Sequence, residues 1–252
     1  MLTRRVITCL DTADGRVVKG VRFASLRDAG SPTERALLYE RMGADEIVLL
    51  DVSATPEGRG HALETVRAVR QRVSIPLTAG GGVRSVADAG ALLEAGADRV
   101  AINTAAVRRP AILGELNERF GAQCTVLALD AARGRNGDRW EVVVRSGRER
   151  TGIDALVWAR EAAGRGAGEI LLTSFDRDGT RAGYDLELIS HVVAAVTVPV
   201  IASGGAASLE HLAEALKAGA DAVLAASVFH DGEMTPDDVK AYLAARGVEV
   251  RR

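Results

Sequence analysis

Eight short apolar runs alternate with helical patterns from one end of the sequence to the other. They span residues 6–10, 46–50, 75–79, 99–103, 124–130, 169–173, 198–203 and 222–226. Uninterrupted apolar strands that alternate with helices are typical of a parallel sheet with helices packed on its faces. The alternation alone leaves two architectures open, a closed barrel and an open, doubly wound sheet.

An internal repeat favours the barrel. Residues 76–82 resemble residues 199–205, and residues 95–98 resemble residues 218–221, with the same spacing of 123 positions. Each half therefore holds four strand–helix units, and two such halves close naturally into a ring. We predict an α/β fold, a (β/α)8 TIM barrel built from two similar half-barrels (about 1–121 and 122–252) within a single domain, residues 1–252. The length is close to the roughly 250 residues of one barrel.

Composition restricts the class of function. The formal net charge is -2 and both signs are spread along the chain, so we expect no nucleic-acid partner. No apolar run approaches the roughly 20 residues that span a bilayer, and a signal peptide is not evident, so we expect a cytoplasmic protein without membrane contact. Cys9 and Cys124 lie in apolar runs, as buried thiols do, and the histidines lack paired ligand spacing. We therefore expect no metal and no cofactor.

Polar and glycine-rich loops follow four of the predicted strands. In a barrel, phosphate groups commonly bind the loops after the seventh and eighth strands, here Gly204-Gly205 and Ala226-Ser227. The repeat places Gly81-Gly82 and Asn103-Thr104 at the equivalent positions of the first half. Glycines that merely shape tight turns are the alternative. Because the feature is duplicated, we predict two phosphate sites for one ligand.

Two aspartates close equivalent predicted strands, Asp11 in the first half and Asp130 in the second. The period of two along a strand turns both side chains towards the barrel interior. Two carboxylates in unequal surroundings can divide the roles of general acid and general base. Alternatively, each aspartate caps a loop or pairs with a lysine. The role of Asp51, after the second strand, stays open.

Four charged residues at the starts of strands share the inward direction, although barrel interiors are normally filled by branched apolar residues. They are Arg5, Glu46, Arg99 and Glu169. An ion-paired plug that neutralises buried charge is one interpretation of this ring.

Over nearly its whole length, the sequence closely resembles the cyclase subunit of imidazole glycerol phosphate synthase, a family of histidine biosynthesis. The resemblance rests on the motifs Cys-Leu-Asp11, Asp-Gly-Arg-Val-Val-Lys-Gly20, Gly-Gly-Gly82, Ile-Asn-Thr-Ala105, Leu-Leu-Thr-Ser-Phe-Asp-Arg-Asp-Gly-Thr180, Ala-Ser-Gly-Gly205 and Ala-Ala-Ser-Val-Phe-His230.

The resemblance implies a reaction. Ammonia from a partner glutaminase adds to a phosphoribulosyl-formimino-aminoimidazole carboxamide ribotide, which splits into imidazole glycerol phosphate and the aminoimidazole carboxamide ribotide. Asp11 and Asp130 match the family's catalytic pair, and which is acid and which base stays open. Lys19 lies in the family's mobile first loop. The positions that match its substrate- and phosphate-binding residues are Lys19, Gly82, Asn103, Thr104, Asp178, Gly179, Gly205, Ala226 and Ser227.

The resemblance also implies a partner. The charged ring matches an ammonia gate at the base of the barrel, and Asp98 matches a contact to the glutaminase. We therefore expect a heterodimer in which the glutaminase subunit docks at the N-terminal face of the barrel. The substrate is expected to be a small molecule with two phosphates.

Two other functions are compatible with parts of this pattern. The phosphoribosylformimino-aminoimidazole carboxamide ribotide isomerase of the same pathway is also a two-half barrel with paired aspartates, but it uses no ammonia. A noncatalytic sensor of phosphorylated metabolites would keep the glycines and tolerate loss of either aspartate. The residues 176–184, the first loop and the charged ring favour the cyclase.

Overall fold

The structure is a computed structural model that describes residues 3–21, 24–57, 63–134, 137 and 139–251. Its strands are β1 Arg5–Ala13, β2 Arg16–Val21, β3 Ala24–Gly30, β4 Glu46–Asp51, β5 Leu77–Gly80, β6 Arg99–Ile102, β7 Thr125–Arg133, β8 Trp140–Val144, β9 Glu149–Asp154, β10 Glu169–Ser174, β11 Val200–Ser203 and β12 Ala222–Ala225. Its helices are α1 Pro32–Arg41, α2 Ala54–Glu57, α3 Leu63–Arg70, α4 Val86–Glu94, α5 Thr104–Arg108, α6 Ala111–Phe120, α7 Ala155–Gly164, α8 Leu186–Ala195, α9 Leu209–Lys217, α10 Ser227–His230 and α11 Pro236–Ala244, with a 3₁₀ turn at Ala122–Cys124.

Eight of these strands form a closed parallel barrel in the order β1-β4-β5-β6-β7-β10-β11-β12. Closure is given by the last strand, since β12 pairs in parallel with β1. Each of the eight apolar runs of the sequence overlaps one barrel strand. The predicted (β/α)8 barrel is therefore confirmed, and the open sheet is excluded because it would leave β1 and β12 as separate edges.

The two half-barrels repeat with little change. The elements α1, β4, β5, α4 and β6 have the same lengths as α7, β10, β11, α9 and β12, and each begins 123 residues before its counterpart. Asp11 and Asp130, in contrast, are only 119 residues apart. The second half is thus four residues longer between its first barrel strand and its first helix.

Each half has an antiparallel excursion from the barrel in this region, and the excursion of the second half contains the four extra residues. β1 continues past Asp11 and pairs with β2, which pairs with β3, while β7 continues past Asp130 and pairs with β8 and β9. β7 and β8 thus form an antiparallel hairpin after Asp130. The prediction that β1 and β7 end at their aspartates was wrong, because the excursions supply hydrogen-bond partners that prolong both strands.

Helix starts follow the signals in the sequence. Ser85 and Thr235 form capping boxes, and the side chains of Asp154, Asp185 and Ser208 each accept backbone N–H groups from the first turn of their helix. Such caps satisfy donors that the helix itself cannot. In the described part of the chain, the helices are all too short or too polar to cross a bilayer.

The apolar residues form two separate clusters. The larger one lies between the sheet and the surrounding helices. The smaller one fills the barrel interior with Ile7, Cys9, Val48, Ala101, Val126, Leu171, Ile201, Ala222 and Leu224. This inner layer separates the charged ring at the starts of the strands from the open mouth at their carboxyl ends.

Candidate active site

The mouth of the barrel holds a cleft with two lobes. The Asp130 lobe has a volume of about 400 Å³ and is lined by Gly82, Asn103, Thr104 and Asp130 among others. The Asp11 lobe is lined by Asp11, Asp178, Gly179, Gly205, Ala226 and Ser227 among others. Leu50, Leu171 and Thr173 line both lobes, so the two are continuous across the centre of the mouth. The structure thus brings every predicted phosphate-site residue with a described side chain into one cleft.

The glycine turns of the two lobes have the same backbone. Gly81 and Gly204 have φ of 91° and 93°. A Cβ atom at Gly81 would overlap the carbonyl oxygen of Asp51, and one at Gly204 would come within 2.8 Å of that of Ser174. These turns therefore require glycine even without a ligand. Phosphate binding is therefore indicated by the cleft around these turns rather than by the glycines themselves.

The loops after β6 and β12 are also equivalent. Asn103 and Ala226 precede their short helices with φ of -120° and -124°. The next residues carry hydroxyls, Thr104 and Ser227, as the repeat predicts. Asn103 also has a second role, because its Nδ2 donates to Asp130 Oδ2 at 2.9 Å.

Lys19 is placed only in part. Its backbone lies in β2, paired with Arg27 of β3. Its side chain lies outside the described residues, so its position relative to the cleft remains a prediction. The excursion itself begins with Asp14-Gly15, both at positive φ. An Asp-Gly pair is a strong hairpin signal, and it would have predicted the β1–β2 turn.

Burial and a neighbouring negative charge raise the pKa values of both aspartates. Burial and, after it, the negative charge of Asp178 together raise the pKa of Asp11 to about 7, and a hydrogen bond from Cys9 opposes the shift. Burial and Asp178 likewise raise the pKa of Asp130 to about 7, against hydrogen bonds from Asn103 and Thr173. Carboxyl groups with pKa values near neutrality can exchange protons with a substrate in either direction.

Asp178→Asn is expected to lower the pKa values of both aspartates, by on the order of one unit, because a neighbouring negative charge disfavours their ionisation. The measurement is a ¹³C NMR titration of the side-chain carboxyls in the free protein. Asp176→Asn serves as the control, since Asp176 bonds the backbone N–H of Arg133 and does not line either lobe. Unchanged titrations in Asp178→Asn would contradict the electrostatic explanation.

Asp51, whose role the sequence left open, has a structural role. Its Oδ1 accepts from the backbone N–H of Ser53 and Ala54 and from the Ser53 hydroxyl, at 3.0 to 3.3 Å. It thereby caps α2 and holds the turn beside Gly81. Thr55, Thr173 and Ser146 also line the Asp130 lobe, although they are not among the site residues predicted from the sequence. Ser146 reaches it because the β8–β9 turn crosses the mouth, where its hydroxyl donates to Val52 O at 2.9 Å.

The four charged residues at the base form a closed ring of ion pairs. Glu46 Oε2 lies 3.2 Å from Arg5 Nη1 and 2.7 Å from Arg99 Nη1. Glu169 bridges the same two arginines from the other side, 3.3 Å from Arg99 and in direct contact with Arg5. The Glu46 side chain is only 1% exposed and also accepts from the Thr78 hydroxyl. Each buried charge is thus paired, as the plug interpretation requires.

Asp98 lies at the same end of the barrel and is half exposed. Its Oδ2 accepts from the backbone N–H of Leu77 at 2.8 Å and lies 3.5 Å from Arg70. Asp45 and Asp221 bond the N–H groups of Val6 and Val200 in the same way. The Gly-Ala-Asp repeat therefore has a structural function, which is to tie the start of one barrel strand to the preceding one.

The fold and the cleft together define a two-half (β/α)8 barrel whose mouth has two lobes, each with one aspartate of raised pKa, Asp11 or Asp130. The chain belongs to the family described as "Histidine biosynthesis protein", whose sequence model matches residues 5–235. It is 58% identical to "Imidazole glycerol phosphate synthase subunit HisF" of Mycobacteroides abscessus over 252 residues, which cover 98% of each chain. The resemblance that the motifs indicated is confirmed.

Proposed function

We propose that the chain is the cyclase subunit of an imidazole glycerol phosphate synthase. The observation that carries this proposal is the continuous two-lobed cleft with one pKa-shifted carboxylate in each lobe, in a chain 58% identical to a relative of that name. The substrate is the ribulosyl ribotide with two phosphates. With ammonia it gives imidazole glycerol phosphate, the aminoimidazole carboxamide ribotide and water.

The substrate lies across the mouth with one phosphate in each lobe. Gly82, Asn103 and Thr104 bind one phosphate, and Asp178, Gly179, Gly205, Ala226 and Ser227 surround the other. Binding at both ends holds the reacting chain over the shared floor of the cleft, between Asp11 and Asp130. Fixing both ends of a flexible molecule removes much of the entropy cost of reaching a reactive geometry. Lys19 and the β2–β3 excursion help to close the site over the substrate.

Asp11 and Asp130 share the proton transfers. Attack of ammonia on the ribulose carbonyl needs a proton on the carbonyl oxygen, which leaves as water. The cleavage and ring-closure steps need a proton taken from nitrogen and one returned to the leaving ribotide. A protonated and an ionised carboxyl on opposite walls can perform these steps, and with pKa values near 7 both forms are populated at neutral pH.

Ammonia reaches this site from the other end of the barrel. The ring of Arg5, Glu46, Arg99 and Glu169 acts as a gate, and the apolar layer above it admits neutral ammonia more readily than the ammonium ion. The chain acts as a subunit of a complex. We propose that a glutaminase subunit docks over the ring at the N-terminal face and that Asp98 lies in the interface.

The proposal is tested with the purified chain, an ammonium salt and the ribulosyl ribotide at alkaline pH, where free ammonia is abundant. We expect conversion to imidazole glycerol phosphate, and glutamine should replace the salt only when the glutaminase subunit is added. Isomerisation of the aldose precursor without ammonia-dependent turnover would instead assign the chain to the isomerase. Binding of the ribotide without either reaction would indicate a sensor.

A further inference from the structure

The two lobes have the same backbone but not the same charge. In the Asp130 lobe the lining includes three arginines, Arg84, Arg108 and Arg109. The positions 123 residues later are Ala207, Asp231 and Gly232. Thr55, which also lines the Asp130 lobe, has the carboxylate Asp178 as its counterpart in the Asp11 lobe. Every one of these differences makes the Asp130 lobe the more positive of the two.

The ion pairs around the lobes preserve this difference. The three arginines of the Asp130 lobe have carboxylate partners outside the lining: Arg84 lies 3.7 Å from Asp88, Arg108 lies 3.4 Å from Glu149, and Arg109 contacts Glu115. Arg181 is the arginine that lines the Asp11 lobe in the described part of the chain. It contacts Glu233 and lies 3.8 Å from Asp231, both also outside the lining, so two carboxylates surround this single arginine whereas three surround the three arginines of the Asp130 lobe.

The charged groups that line the two lobes differ in the same direction. Three arginines and two carboxylates, Asp51 and Asp130, line one lobe. One arginine and two carboxylates, Asp11 and Asp178, line the other. Since the repeat matches the glycine turns and the Thr104 and Ser227 hydroxyls, the extra arginines are the largest charge difference that a phosphate dianion would meet.

We propose that the Asp130 lobe is the high-affinity phosphate site and that Arg108 and Arg109 make it so, while the Asp11 lobe binds its phosphate weakly. This inference rests on the proposed two-phosphate substrate. The cleft then binds the substrate asymmetrically, because the phosphate in the Asp130 lobe is held tightly and the phosphate in the Asp11 lobe dissociates and rebinds more readily. The monophosphate product that occupies the Asp130 lobe is then the second to leave and the stronger product inhibitor.

The size of the effect follows from the exposure of the arginines. Their side chains are 60% and 49% exposed, so water and salt screen them. A unit charge near a phosphate in such surroundings contributes about 0.7 kcal/mol, which corresponds to about a threefold change in affinity. For the two arginines together we expect the lobes to differ about tenfold in phosphate affinity at low ionic strength.

Calorimetric titration of the full-length chain with inorganic phosphate tests this inference. The wild type is expected to show two classes of site whose dissociation constants differ about tenfold. The double variant Arg108→Gln/Arg109→Gln should weaken the tight class about tenfold, so that the two classes merge. Arg165→Gln is the matched control, since Arg165 is also half exposed and paired with a glutamate but lies just after α7, at the opposite end of the barrel.

Two further variants assign the classes to the lobes. Thr104→Asp places a carboxylate in the Asp130 lobe and should abolish the tight class, whereas Ser227→Asp should abolish the weak class. Aspartate is tolerated before and at the start of helices, so both variants are expected to fold. Two equal classes in the wild type, or loss of the tight class in Ser227→Asp, would overturn the inference.

The result is separable from the test of the proposed function. Equal phosphate sites in a chain that converts the ribotide with ammonium would contradict the proposed difference between the lobes and leave the proposed function intact. Absence of phosphate binding together with absence of turnover would remove both the asymmetry and the two-phosphate substrate.

Discussion

Asp11→Asn and Asp130→Asn are each expected to lower kcat for ammonium-dependent turnover by about 10²- to 10⁴-fold, the range that general acid–base groups contribute. Asparagine has nearly the same shape and keeps hydrogen bonds to Cys9 and Asn103 but can neither release nor accept the proton. The measurement is initial rates at saturating ribotide and ammonium, so that changes in binding do not contribute.

The same variants should be more stable than the wild type at alkaline pH. Burial raises the pKa values of both carboxyls above their usual value. Ionising them in the folded state therefore lowers the free energy of unfolding. This loss develops as the pH rises from about 4 to 7 and is complete above it. Raising a carboxyl pKa from about 4 to about 7 corresponds to roughly 4 kcal/mol, so each asparagine should raise the free energy of unfolding by up to about that amount at pH 8 and leave it almost unchanged at pH 4.

Asp176→Asn again provides the control, with kcat expected within a few-fold of the wild type. An inactive variant that is as stable as the wild type or more so has lost chemistry rather than structure. Retention of a tenth or more of kcat by Asp11→Asn or Asp130→Asn would remove that residue from the proposed proton transfers.

Glu46→Gln is expected to lower the free energy of unfolding by about 3 kcal/mol. Breaking a buried ion pair from one side leaves an uncompensated charge, which typically costs 3–5 kcal/mol. Arg5 and Arg99 would then share the single carboxylate of Glu169. Urea unfolding of the isolated chain gives the change, with the m-value reporting whether the folded state stays compact.

Glu161→Gln is the matched control, because its pair with Arg165 is exposed and should contribute less than about 1 kcal/mol. Equal effects of the two substitutions would mean that the ring does not stabilise the barrel. A gate makes a second prediction that a plug does not. In the complex with the glutaminase, Glu46→Gln should change the ratio of glutamine-dependent to ammonium-dependent turnover, and an unchanged ratio would leave only the plug.

The strand pattern and the repeat predicted most of the framework. The caps at Ser85, Ser208 and Thr235 act within one turn of helix, so their effect is readable from neighbouring residues. The barrel itself was predictable because equivalent glycine loops recur at one spacing, and the strand period then placed Asp11 and Asp130 at the mouth. Family resemblance added the residues around Asp178, which no periodicity would have indicated.

What the sequence by itself determined is the number and order of the strand–helix units, the duplication of the two lobes and the inward face of each strand, since all of these depend on patterns along the chain. Only the tertiary structure decided which groups share an electric field. The joint effect of burial and Asp178 on Asp11 and Asp130, the ring that Glu46 and Glu169 close around two arginines, and the charge difference between the lobes arise between residues far apart in sequence. Electrostatic energies depend on distance and burial in space, and these exist only once the barrel has closed.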